Sequence, residues 1–120
     1  RRVLFRSKYE MDYWGNCLLE SVRWAATYTR PLDGPVAISG ELAREVLRHD
    51  AARYPHLSVT AGDEGEPALL LRHLDWSETS LATRPDALYR VQTADGAVLC
   101  VVLPGPGFER LRARMARVDP

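Results

Sequence analysis

The chain has 120 residues, enough for one domain with a real core. Its 16 Lys+Arg balance 16 Asp+Glu, and hydrophobic residues make up 46% of it. That composition excludes the clustered basic footprint of a nucleic-acid binder. The longest apolar run, Ala97 to Leu103, is far short of the ~20 residues that cross a bilayer, so these residues read as soluble.

The first seven residues, RRVLFRS, match the translation of a common sequencing-adapter oligonucleotide and are set aside as technical sequence. Without their three arginines, 13 basic residues face 16 acidic ones, a mildly acidic balance. With an in-frame adapter, the natural protein is expected to continue upstream of Lys8.

Leu18, Val22 and Ala25, with Leu19 and Ala26 beside them, recur at helical spacing and predict a helix from Asn16 to Tyr28. Asn16 is placed to cap it, its side-chain oxygen accepting from first-turn amides. Arg30-Pro31 and Asp33-Gly34-Pro35 end it. Val36 to Ser39 then reads as a short buried strand. A second helix is expected from Glu41 to Arg53, with Leu42, Val46 and Leu47 inward and Glu41, Arg44, Glu45 and Arg48 on a solvated face. Tyr54-Pro55 breaks it. Leu57 to Thr60 predicts a strand, and Ala68 to Arg72 another, apolar enough to be buried on both faces. A short helix fits around Ser77 to Leu81.

Leu88 to Gln92 and Val98 to Leu103 predict a β-hairpin with Asp95-Gly96 at its turn. After Pro104-Gly105-Pro106-Gly107, the basic stretch Phe108 to Val118 predicts a peripheral helix. This order gives a small three-layer α/β domain over residues 8–103, followed by a Pro/Gly linker and helix over 104–120. Its mixed sheet has parallel strands first, because helix-length crossovers join them, and an antiparallel C-terminal hairpin.

The residue patterns supply no active site. "VAISGEL" has one glycine where a dinucleotide fingerprint needs three, and no Gly-Lys-Ser/Thr ending follows. Asp63, Glu64 and Glu66 read as solvated loop charges, and His49, His56 and His73 lack metal-ligand spacing. There is no G-x-S-x-G elbow, and Cys17 has no paired base. Cys17, at a helix start, and Cys100, in a strand, each read as a small buried hydrophobe; a bridge between them would require an oxidising compartment.

One stretch stands apart. "KYEMDYWGNCLLESVRW" resembles a segment of bacterial multi-spanning glycosyltransferases of the dolichyl-phosphate-mannose-protein mannosyltransferase type, the GT-C class. Asp12, Tyr13, Trp14, Gly15, Asn16, Glu20 and Trp24 stand at the matching positions. "PDALYRVQTADGAVLCVVLP" is similar to that family's closing hairpin, so the likeness runs from Lys8 to about Leu103. Where the family has serine in a capping box, this chain has Cys17, which leaves the cap to Asn16.

The resemblance implies a C-terminal domain on the extracytoplasmic side of the cytoplasmic membrane. Its partners would be the protein's own transmembrane part, with a possible membrane interface, and no nucleic acid. The catalytic aspartate and the polyprenyl-phosphate sugar donor would belong to that transmembrane part, so this domain is expected to be non-catalytic and to need no cofactor or metal. Two roles are open for Tyr13 and Trp14: amphipathic anchors at the headgroup level, or core aromatics with Gly15 turning the chain into the helix. A competing reading is a free-standing α/β binding domain beginning near Met11.

Overall fold

The computed structural model describes residues 17–32, 34–40, 43–49, 51–60, 65–74 and 79–118. The first helix, α1, covers residues 17–28. It is followed by β1 (Val36–Gly40), α2 (Ala43–His49), a 3-10 turn (Ala51–Arg53), β2 (Leu57–Val59) and β3 (Leu69–His73). Then come α3 (Thr79–Ala82), β4 (Tyr89–Gln92), β5 (Val98–Pro104) and α4 (Phe108–Val118).

The strands form one five-stranded sheet in the order β2-β1-β3-β5-β4. β1 pairs in parallel with both β2 and β3, while β5 runs antiparallel to β3 and β4. The expected mixed sheet, parallel first and closed by a hairpin, is therefore present. Its turn uses Gly96 at φ 92°, a left-handed conformation that side chains with a Cβ resist. The Thr93 amide donates to the Ala97 carbonyl across that turn.

Register sorts the strand residues onto two faces, because directly paired residues point the same way. Val36 opposes Leu57, Ile38 opposes Leu69, and Leu71 opposes Val102, which in turn opposes Tyr89. These residues cluster with Val22 and Ala25 of α1, Ala43 and Leu47 of α2, and Leu111 of α4. On the other face, Val101 and Leu103 pack with Leu81 and Ala82 of the four-residue α3. The three layers are thus unequal, with most of the apolar helical surface on one side.

Three sequence expectations are corrected. The helix expected from Glu41 to Arg53 is shorter: α2 spans Ala43–His49 and Ala51–Arg53 is 3-10. Pro55 disfavours α geometry at Tyr54, and a separate turn follows in which the Leu57 amide donates to the Tyr54 carbonyl at 3.1 Å. Glu41 and Leu42 lie outside the described residues.

The C-terminal helix is more than peripheral. Leu111 is 2% exposed, Phe108 and Met115 pack on the main core, and Arg114 donates to the Pro35 carbonyl at 3.0 Å. The Pro/Gly segment before it is held as well, with the Gly105 amide on the Ala68 carbonyl at 2.9 Å and the Gly107 amide on the Pro67 carbonyl at 3.1 Å.

The third correction concerns the cysteines. Cys17 and Cys100 are buried as expected, but they are joined in a disulfide. Their Cα atoms are 5.9 Å apart, within the ordinary span of such a bond.

Candidate functional site

Positions 17, 20, 24 and 28 recur every three or four residues and so form one stripe along α1. That stripe lies against the β4–β5 hairpin. At its first turn Cys17 is bonded to Cys100 of β5, with Leu18, Val91 and Leu99 packed around the two sulfurs. Leu99 reaches this cluster through a bulge. Val91 pairs with Cys100 and Gln92 with Val98, which leaves Leu99 as the extra residue.

One turn on, the Tyr89 hydroxyl donates to the Glu20 carboxylate at 2.6 Å. That bond to Glu20, then partial burial, then the nearby negative charge push the Tyr89 phenol above its usual value of 10.0. Each cause favours the neutral phenol. At the next turn Trp24 stacks on both tyrosines. Its ring centroid is 4.8 Å from Tyr28 at an interplanar angle of 11°, and 5.3 Å from Tyr89 at 13°. Such offset pairs contribute about 0.5–1.5 kcal/mol each beyond their burial.

The far end of α1 is tied to β2. Thr29 donates its only hydroxyl proton to the Ala25 carbonyl at 2.8 Å, so its contact with His56 Nε2 at 3.0 Å requires that nitrogen to carry the proton. Ser21, fully buried, donates to the Cys17 carbonyl at 2.8 Å. Both hydroxyls therefore satisfy themselves on the helix's own backbone.

Of the residues carrying the family likeness, Glu20 and Trp24 meet on this seam, and both contact Tyr89, which comes from the second matching segment. Asp12, Tyr13, Trp14, Gly15 and Asn16 lie outside the described residues. The sequence reading missed the roles of Tyr28 and Tyr89, and it favoured two separate buried thiols over the Cys17–Cys100 bridge. For Tyr28 a signal was present, because it continues the helical stripe of α1.

The other charged candidates sit apart. Glu66 accepts from Arg110 on α4, and both side chains are solvated. Asp63 and Glu64 lie outside the described residues. His73 stands opposite Cys100 across β3 and β5, whereas His56 belongs to β2's approach. Arg90 points to the opposite face of the sheet and donates from Nε to the Ala82 carbonyl at 2.9 Å, holding the end of α3.

Among the described residues, no group of three or more His, Cys, Asp or Glu side chains is placed to hold a metal ion, and no helix is long and apolar enough to cross a membrane. The seam's chemistry is cohesive. Its sulfurs are bonded to each other, its carboxylate accepts a hydrogen bond from the phenol and its indole is stacked. No protein-family model, curated protein or solved structure matches this chain.

Proposed function

We propose that this chain is the extracytoplasmic C-terminal domain of a membrane glycosyltransferase of the GT-C type, acting as a scaffold beside the catalytic transmembrane part. The observation that carries the reading is the Cys17–Cys100 bond. Disulfides persist in oxidising compartments, and this one joins the two segments on which the resemblance rests. Glu20 and Trp24, at matching positions of the first segment, hold the hairpin that forms the second. In this reading they maintain the domain's shape and take no part in sugar transfer. Asp12 to Asn16 immediately precede the bonded turn in sequence.

The test is to sequence the native DNA upstream of the Lys8 codon. An open frame encoding several apolar spans of about 20 residues, with an acidic residue in the first outward loop, supports the proposal. A stop codon followed by translation from Met11 refutes it and makes the chain a free-standing binding domain.

A further inference from the structure

We propose that the Cys17–Cys100 bond is a one-way lock, formed while the chain is still open and then shielded by the fold from any reducing thiol. The lock does not rest on the glycosyltransferase reading and would operate in any exported host. It has three supports: the burial of the sulfurs, the position of the bond and the length of chain it closes.

Both cysteines are 0% exposed. A disulfide is broken by a thiolate attacking one of its sulfurs, and here no sulfur is reachable from solvent. Cys17 packs with Leu18 of α1 and with Val91 and Leu99 of the hairpin. Cys100 lies in β5 between His73 of β3 and Val91 of β4. Attack therefore requires α1 to lift from the hairpin, and the Glu20–Tyr89 bond and the Trp24 stack oppose that opening.

Formation has no such obstacle in the open chain. One cysteine thiolate attacks a sulfur of an external disulfide and expels one thiol. The second cysteine thiolate then attacks the mixed disulfide and expels the other. One protein S–S bond forms, one oxidant S–S bond breaks into two thiols, and two electrons pass from the protein to the oxidant. A small-molecule disulfide or the disulfide of a thiol oxidase serves as that oxidant.

The bond spans a sequence separation of 83, enclosing β1 through β4. Closing a loop of that length removes so much freedom from the unfolded chain that the folded-to-unfolded ratio rises by about a thousandfold. Oxidation thus sets whether the domain is firmly folded, and the fold then keeps the domain oxidised.

The test uses the full chain, exported to an oxidising compartment and purified oxidised. Its reduction by dithiothreitol is followed by maleimide quenching and mass, in native buffer and in urea. The lock predicts native reduction slower than in urea by about a thousandfold, and faster by at least about tenfold in Trp24→Ala than in the wild type. Native rates within about tenfold of those in urea would overturn it. In a second arm, Cys17→Ala with Cys100→Ala is compared with the oxidised wild type in equilibrium unfolding. A folded-to-unfolded ratio lower by about a thousandfold, or failure to fold, is expected; an unchanged ratio would overturn the folding half of the proposal.

Discussion

Trp24→Ala is the sharpest probe of whether the aromatic seam is structural. The indole is partly buried against the main core and stacks on Tyr28 and Tyr89. A tryptophan of this kind covers roughly 200 Å². With about two thirds of that removed from water, burial at about 25 cal/mol/Å² contributes about 3 kcal/mol. Losing the two stacked contacts adds about 1–3 kcal/mol more, for a total of about 4–6 kcal/mol. The disulfide keeps the helix tethered, so the variant is expected to fold with a lower urea midpoint and an unchanged m-value. Equilibrium unfolding in urea, followed by far-UV circular dichroism, reads both. A loss under about 1 kcal/mol would refute the seam account and favour Trp24 as a surface residue kept for a partner.

Three further outcomes follow from particular contacts. The Tyr89 phenol is raised above 10.0 in the fold, so its stabilising contribution is fully present below that pH and is lost as pH climbs through the higher folded value. The stability difference between wild type and Tyr89→Phe should therefore shrink on the alkaline side, and a constant difference would count against the Glu20 bond. Leu111→Ala should cost about 3 kcal/mol, because Leu111 is 2% exposed, whereas Val118→Ala on the same helix, at 46% exposure, should change thermal stability by under about 0.5 kcal/mol. Gly105→Ala should cost about 2 kcal/mol or more, since a Cβ there would lie 2.2 Å from the Pro67 carbonyl oxygen; an unchanged melting temperature would contradict the tight approach of the Pro/Gly segment.

The features legible in the sequence were those with short-range signals. Asp95-Gly96 between two apolar runs fixed the hairpin, and the strand–helix–strand order of Val36 to Val59 fixed the parallel pair. Helical spacing located α1. The end of α2 was overrun, because Ala51 to Arg53 have helix-compatible chemistry and the conflict arises only from Pro55 behind them.

The seam was harder to see because it depends on where distant elements land. Cys17 and Cys100 can meet only if β5 lies between β3 and β4 and α1 crosses that part of the sheet. Nothing local to either cysteine specifies that strand order. Tyr89 reads as an ordinary strand aromatic until Glu20 and Trp24 are placed above it. Leu111 is similarly inconspicuous in the arginine-rich stretch of α4, and its burial emerges only once the helix is placed against the main core, where Phe108 and Met115 also pack.

The most direct measurement counts thiols. The exported chain is denatured without reductant, treated with excess maleimide and weighed intact, then the experiment is repeated after reduction. The chain has two cysteines. The account predicts no adduct before reduction and two after it. Two adducts before reduction would show that the bond is absent, and would remove the support for both the extracytoplasmic placement and the lock.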